Sequence, residues 1–170
     1  NWQVRPNNCP TRRLAAMSYL ILRYEEGGIV GTFISKVKEV PVDSAHQELE
    51  RMLLVIARDY WARHTDFGSP VAASPTLLGR ERAADIAVNV ILPFSYACGL
   101  AEVTKKALEI YRCYPRLSAN ELERHMLNQL GLDRKLINSA QRQQGLLHLY
   151  KTKCSQGNCQ RCPFATTSAS

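Results

Sequence analysis

Three cysteines near the end of the chain are the residues whose type and spacing point most directly to chemistry. They follow a C-x4-C-x2-C pattern in the segment Cys154-Ser-Gln-Gly-Asn-Cys159-Gln-Arg-Cys162. Three thiols in one short segment can bind a metal, form a disulfide or carry out redox chemistry. The cluster is therefore the first candidate for a functional site.

Zinc is the metal that this spacing favours. Tetrahedral zinc sites use four nitrogen or sulfur ligands, and a C-x2-C pair such as Cys159 and Cys162 forms one knuckle. Cys154 supplies a third thiolate, and His148 is the local candidate for the fourth ligand. A cysteine from elsewhere in the chain, Cys9 or Cys113, is an alternative fourth ligand.

Two other interpretations of the cluster stay open. The same spacing matches the first three ligands of a plant-type ferredoxin, so an iron–sulfur cluster is the alternative cofactor. A disulfide, or no metal at all, is the third possibility. Six cysteines in 170 residues are too few for a secreted disulfide scaffold, so the composition favours a reducing, cytoplasmic location.

Positive charge is concentrated at both ends of the chain, which has a net charge of +7. The first 24 residues contain four arginines and no acid, and the stretch from Arg134 to Ser170 contains six basic residues and no acid. This pattern predicts a surface for DNA, RNA or another acidic partner, with binding directed to the phosphate backbone. The alternative is a solvated surface without a ligand. The predicted anion-binding residues are Arg5, Arg12, Arg13, Lys151, Lys153 and Arg161.

A second constellation lies inside an apolar helical stretch. Arg82, Asp85 and Asn89 share one helix face, at spacings of three and four residues. Polar groups on a mostly buried helix must be paired, so these residues predict a buried polar network. The structural interpretation, in which the network ties the helix to its neighbours, is favoured over a substrate-orienting site.

Helical periodicity dominates the elements that must position these residues, and strand alternation is nearly absent. The sequence predicts an all-α fold, a single compact domain of about six helices with a C-terminal cysteine knuckle. The domain covers residues 1–164, and residues 165–170 form a disordered tail. The first helix begins near Pro10, and its apolar positions are Leu14, Met17, Ile21 and Leu22.

Local signals place the remaining helices. The third helix opens at Pro41 and carries an apolar face as far as Tyr60. The residues from Phe67 to Pro75 read as a loop, and Pro93 kinks or ends the helix that starts at Gly79. A capping box at Ser118-Ala-Asn-Glu121 starts another helix, and Asp133 is predicted to cap the last one.

Several functional classes find no support in the sequence. The longest apolar run, Ile86 to Leu92, is interrupted by Asn89 and is too short to span a bilayer. There is no glycine-rich phosphate loop, nucleophile elbow or paired-carboxylate site, so the sequence assigns no reaction. The chain starts at Asn1 without a methionine, which predicts that it is a piece of a longer protein.

Three segments resemble a bacterial family catalogued as domain of unknown function 2851. They are Arg5-Pro6-Asn-Asn-Cys-Pro10-Thr-Arg-Arg-Leu14-Ala, the stretch from Leu77-Leu-Gly79-Arg-Glu-Arg82 to Asn89-Val-Ile-Leu-Pro93, and Gln143 to Tyr150 with the cysteine cluster. The resemblance implies that this is the C-terminal part of a larger protein, whose N-terminal half, rich in His and Asp, is nuclease-like and is the domain's partner. It implies no established activity.

Three functional hypotheses follow from these patterns. The first is a non-catalytic, metal-stapled binding module whose basic ends contact nucleic acid or another acidic partner. The second is a structural or interaction domain that binds no charged ligand. The third is an iron–sulfur or redox protein.

Overall fold

The computed structural model describes residues 9–157, and helices dominate this range. The helices are α1 (Pro10–Arg23), α2 (Ile29–Glu39), α3 (Ala45–Leu53), α4 (Arg80–Ile86), α5 (Leu92–Ala97), α6 (Ala101–Cys113), α7 (Glu121–Leu130) and α8 (Ala140–Thr152). The strands are β1 (Val55–Ile56), β2 (His64–Asp66), β3 (Ser69–Pro70) and β4 (Thr76–Leu78). The predicted all-α class is confirmed. Within residues 9–157, no helix is both long and apolar enough to cross a membrane.

The chain divides into two compact units, residues 1–110 and 111–170. The predicted single domain over residues 1–164 stays a prediction, because two compact units can belong to one domain or to two. The predicted tail, residues 165–170, lies outside the described residues.

Packing in the first unit depends on small residues where helices approach each other. α3 buries Leu49 and Leu53 against α4. The α4 side of this contact includes Ala83, and Ala87 follows it in the adjoining turn; both are fully buried. Alanine at these positions lets the two helix backbones come close while the leucines fill the space between them. The buried apolar positions on α2 and α6 are Phe33, Val37, Val103, Ala107 and Ile110.

The third helix is shorter than the sequence predicts. It ends at Leu53, and Leu54 adopts an extended conformation, so the prediction of a helix as far as Tyr60 is wrong. β1 then pairs antiparallel with β4, with Val55 opposite Leu78. Val55 is buried while Ile56 is 59% exposed, which is the two-residue alternation of a strand. The segment predicted as a loop also contributes β3, which pairs antiparallel with β2.

The helix around Pro93 continues rather than ending there. α4 passes through a π turn, Ala87–Ile91, directly into α5. A proline inside a regular α-helix has no N–H to donate and clashes with the carbonyl four residues earlier, here that of Asn89. The wider π turn provides space at this point. In the same turn the Asn89 side chain donates to the Asp85 carbonyl at 2.9 Å.

The second unit is built from helices with well-defined ends. The Asn120 side chain caps α7 by accepting from the Glu123 N–H, and Gly131 ends α7 in the left-handed conformation. Asp133 caps only a short 3₁₀ turn, whereas α8 begins later, with Ser139 as its cap. The prediction that the last helix starts at Asp133 is therefore wrong. The apolar core of this unit contains Met126, Leu127, Ile137 and Leu146.

A buried carboxylate connects the elements of the second unit. Glu123 is 0% exposed, and one of its oxygens accepts from the Arg116 guanidinium. The other oxygen accepts from the Gln143 side chain at 2.5 Å, and the Gln143 carbonyl oxygen accepts from the Leu117 N–H at 3.2 Å. A buried charge needs a partner of opposite charge and further hydrogen bonds of this kind. Glu123 thus ties α7 to α8 and to the segment that precedes α7.

Candidate docking groove

Arg12 organises the region around α1. Its side chain is 1% exposed although it is a charged residue. One terminal nitrogen donates to the carbonyls of Trp61 and His64, at 2.9 and 2.7 Å. The other donates to the carbonyls of Ser74 and Thr76, at 2.5 and 3.2 Å. The guanidinium therefore satisfies four backbone acceptors in and around the short strands.

These contacts correct the prediction that Arg12 binds an anion. Burial lowers the pKa of Arg12, an effect that the nearby Cys9 opposes in part. The terminal nitrogens of Arg12 donate to the protein's own carbonyls, so they are not available to a phosphate. Arg13, the next residue, is exposed, and its prediction stays untested. Arg5 lies outside the described residues.

Arg12 also fixes the position of an aromatic segment, which we define as residues 59–67, against α1. A second contact reinforces this placement, because the Thr11 hydroxyl donates to the Thr65 carbonyl at 2.9 Å. Inside the segment, the His64 ring stacks on Tyr60 with centroids 3.8 Å apart. Trp61 and Phe67 contact each other edge to face at 5.4 Å. The segment is thus a folded aromatic cluster rather than an open loop.

A groove of about 420 Å³ runs between α1 and the aromatic segment. The α1 wall consists of Thr11, Leu14, Ala15, Ser18, Tyr19 and Leu22, and the opposite wall consists of Asp59, Trp61 and Phe67. This volume lies in the range of small-molecule and cofactor sites. Among the described residues that line it, Asp59 is the one that carries a charge.

The apolar residues of the groove are exposed to an unusual degree. Phe67 is 77% exposed, Leu14 68% and Leu22 66%. Met17 and Ile21, at 51% and 53%, extend the same surface along α1. Large contiguous apolar patches on a protein surface mark interaction sites. We refer to the four exposed apolar residues of this surface that lie on α1 as the α1 stripe: Leu14, Met17, Ile21 and Leu22.

The α1 stripe is the set of apolar residues that predicted this helix from the sequence. The opposite side of α1 is the buried one, and it carries Arg12, Ala15, Ala16 and Leu20. Two alanines and a paired arginine let α1 pack closely on the strands. The larger side chains are left facing outward.

Asp59 connects the two walls of the groove. One of its carboxylate oxygens accepts from the Tyr19 hydroxyl of α1, and the other accepts from the Trp61 N–H at 3.2 Å. Burial, together with the hydrogen bond to Asp59 and its negative charge, raises the pKa of Tyr19 to about 12. Asp59, Trp61 and Phe67 are site residues that were not predicted from the sequence. The signal that could have identified them is the presence of three aromatic residues within residues 60–67.

The predicted buried polar network is wrong in one respect. Arg82 and Asp85 do approach each other, with a nitrogen–oxygen distance of 3.7 Å, but their side chains are 55% and 45% exposed. Asn89 is also exposed. The apolar residues of α4 face the core from the other side, so these three polar residues lie on the solvent side. Partial burial still raises the pKa of Asp85, while Arg82 opposes this shift.

Two of the four predicted metal ligands, Cys159 and Cys162, lie outside the described residues. The predicted anion-binding residue Arg161 also lies outside them. Of the other two predicted metal ligands, His148 is exposed, whereas Cys154 is half-buried and packs against the core of the second unit. Residues 9–157 contain no group of three or more potential metal ligands. Lys151 and Lys153 are exposed. The zinc, iron–sulfur and nucleic-acid predictions for this end of the chain stay predictions.

Comparison with known proteins gives one match. The model of the family described as "Protein of unknown function (DUF2851)" matches residues 1–122. This range contains α1, the aromatic segment and the Leu77–Pro93 stretch, and it ends before the cysteine cluster. No curated protein and no solved structure matches the chain.

Proposed function

The chain belongs to the family described as "Protein of unknown function (DUF2851)", and we propose that it acts as a non-catalytic interaction domain that docks an apolar helix of a partner protein. The helix lies in the groove between α1 and the aromatic segment. This is the interaction-domain alternative of the sequence analysis, with a surface now assigned to it. The upstream half that the resemblance implies is one source of such a helix.

The exposure of the α1 stripe is the observation that carries this proposal. Leu14 and Leu22 each leave about two thirds of their surface in water. Burying one such side chain completely is worth roughly 1.5–3 kcal/mol. A partner that covers the two leucines and Phe67 therefore gains a substantial driving force.

Helical spacing supports a helix as the partner. Leu14, Ser18 and Leu22 line the groove and are each four residues apart, so they form one row along α1 against which a second helix can pack. The floor of the groove includes Ala15 and Ser18, whose small side chains allow a close approach. Helix-in-groove recognition uses apolar anchors with this spacing.

A designed peptide tests the proposal directly. The probe is a blocked Ala/Gln-based peptide of roughly 18 residues, long enough to hold a helix in water, with leucines at heptad spacing. The chain has two tryptophans, so a Trp2→Phe background makes Trp61 the only tryptophan. We expect saturable changes in Trp61 fluorescence when the peptide is added.

A pair of matched variants gives this experiment its control. Leu14→Gln in the groove should abolish the fluorescence response, because it removes a central anchor. Leu100→Gln changes a residue that is also more than half exposed but lies outside the groove, and it should leave binding intact. Equal loss in both variants, or no binding to the unmodified groove, overturns the proposal.

A second candidate function is a metal-stapled basic tail, and the spacing of Cys154, Cys159 and Cys162 supports it. Cys154 is held against the core of the second unit. Directly after it the chain turns at Gly157, which has a φ of 67° and donates its N–H to the Cys154 carbonyl at 3.0 Å. We infer that Cys154 anchors a zinc knuckle completed by Cys159, Cys162 and His148. The exposed Lys151 and Lys153 then present positive charge to nucleic acid.

Metal analysis of anaerobically purified protein tests the tail. We expect one zinc per chain, lost in Cys159→Ser with a fall in melting temperature. An absorbance spectrum with iron bands supports the iron–sulfur alternative instead. If the metal content of Cys159→Ser is the same as that of the unmodified protein, the proposed metal site is wrong. If the tail binds nucleic acid through its phosphates, we expect the measured affinity to fall steeply as the salt concentration rises.

A further inference from the structure

The groove of the proposed interaction domain contains a carboxylate that forms no ion pair with any cation among residues 9–157, and the following inference rests on that proposed function. Asp59 accepts hydrogen bonds from the Tyr19 hydroxyl and the Trp61 N–H, which are both neutral donors. The ion pairs of residues 9–157 do not include Asp59. Each carboxylate oxygen accepts one bond and keeps further acceptor capacity.

This carboxylate restricts which helices can cover the groove. A purely apolar helix laid over Asp59 removes water from the charge and supplies nothing in return, which is unfavourable. An acidic residue at the same position adds like-charge repulsion. A basic side chain replaces the lost water with a charge-assisted hydrogen bond. The rest of the groove still favours apolar anchors.

The aromatic wall adds to this preference. Trp61 and Phe67 lie beside Asp59 in the lining of the groove, and they meet edge to face with an angle of 66° between their planes. The faces of aromatic rings attract cations. A guanidinium can stack on such a face and also match the two oxygens of a carboxylate. Arginine is therefore favoured over lysine at this position.

We propose that the groove selects an apolar helix that carries one basic side chain, paired with Asp59. The chain as a whole is positively charged, so long-range attraction does not bring a basic helix to it. The preference is local, and it persists at physiological salt, where charges more than about 8 Å apart are largely screened.

A double-mutant cycle tests the pairing. Three versions of the designed leucine peptide differ only at the central position that faces Asp59, where they carry Arg, Gln or Glu. With the unmodified groove we expect the Arg peptide to bind about tenfold more tightly than the Gln peptide, and the Glu peptide to bind most weakly. In Asp59→Asn the difference between the Arg and Gln peptides should fall to about twofold or less.

Glu26→Gln is the matched control. It removes one exposed carboxylate that does not line the groove, so the preference for the Arg peptide should remain. An Arg preference of the same size in Asp59→Asn, or no preference in the unmodified groove, overturns this inference while leaving the docking function intact. Absence of binding by all three peptides overturns the docking function itself.

Self-association is the other outcome that the experiment must separate. Sedimentation of the protein alone, at the concentrations of the binding assay, measures it. A dimer that dissociates in Leu14→Gln but not in Leu100→Gln places a second copy of the chain in the groove, and it overturns the proposed basic helix. If the unmodified protein, Leu14→Gln and Leu100→Gln are all monomers, the result supports the proposed basic helix of a partner protein.

Discussion

The Tyr19 hydroxyl of α1 donates a hydrogen bond to the carboxylate of Asp59, a residue 40 positions later in the chain. This contact joins residues of the two walls of the groove, and the backbone N–H of Trp61 donates to the same carboxylate. A polar pair therefore orders the walls of a surface that is otherwise apolar.

Replacing Arg12 should destabilise the first unit severely. Arg12→Ala leaves four backbone carbonyls without their donor in a buried region. Unsatisfied buried polar groups cost about 1–3 kcal/mol each, with partial relief from entering water. We expect the free energy of unfolding to fall by about 3–5 kcal/mol, measured by chemical denaturation. Arg12→Lys should retain only part of the stability that Arg12→Ala loses, because an ammonium group cannot reproduce the planar arrangement of donors of a guanidinium.

Arg58→Ala is the control for this measurement. Arg58 is exposed, and surface substitutions change stability by about 0.5 kcal/mol or less. Similar losses for both arginines would contradict the structural role of Arg12.

The two faces of α1 should respond differently to truncation. Leu20 is buried, so Leu20→Ala should cost about 2–4 kcal/mol, from lost burial and the cavity left behind. Leu14→Ala and Leu22→Ala, on the exposed stripe, should change the free energy of unfolding by about 0.5 kcal/mol or less. Thermal and urea unfolding of the isolated protein measure all three. Comparable losses on both faces would mean that the stripe is buried.

Tyr19 should make stability depend on alkaline pH. Its pKa is raised to about 12 in the folded protein, whereas an unperturbed tyrosine has a pKa of about 10. The folded state thus favours protonated Tyr19, and this contribution is complete below pH 10. It is lost as the pH rises from about 10 to 12.

Tyr19→Phe isolates this effect. The variant should lose less stability than the unmodified protein between about pH 10 and 12. Burial also raises the pKa of Tyr111, so the difference between the two proteins, rather than either curve alone, is the quantity to compare. Asp59→Asn should shift the tyrosinate absorbance titration of Tyr19 toward ordinary values. Identical alkaline profiles would contradict the coupling.

Removing the buried carboxylate of the second unit should be costly. Glu123→Ala leaves the Arg116 guanidinium and the Gln143 amide without their shared acceptor. Breaking one partner of a buried charged pair costs about 3–5 kcal/mol. Denaturant unfolding with a probe in α7 or α8 measures the loss. Glu121→Ala, in the same first turn but exposed, should cost about 1 kcal/mol or less.

Local sequence signals predicted most of the helices and several of their ends. Pro10 starts α1 and Gly131 ends α7 because their backbone preferences act within a few residues. Where two local signals compete, neighbours in space decide. Asp133 has a side chain that suits a helix cap, yet α8 begins at Ala140. The Ala140 N–H donates to the Tyr114 carbonyl at 3.0 Å, a contact with a residue distant in sequence.

The sequence by itself determined that α1 is a helix with an apolar stripe, that the fold is mainly helical, and that the chain carries a family signature in its first 122 residues. Only the tertiary structure decided that the stripe faces outward, that Arg12 is buried and that Asp59 lies in the groove. Periodicity reports which residues share a helix face, but not which face meets the rest of the protein. That choice depends on contacts made 40 to 64 residues along the chain, where hydrogen bonding to Arg12 and close packing of Ala15 and Ala16 outweigh the burial of larger leucines.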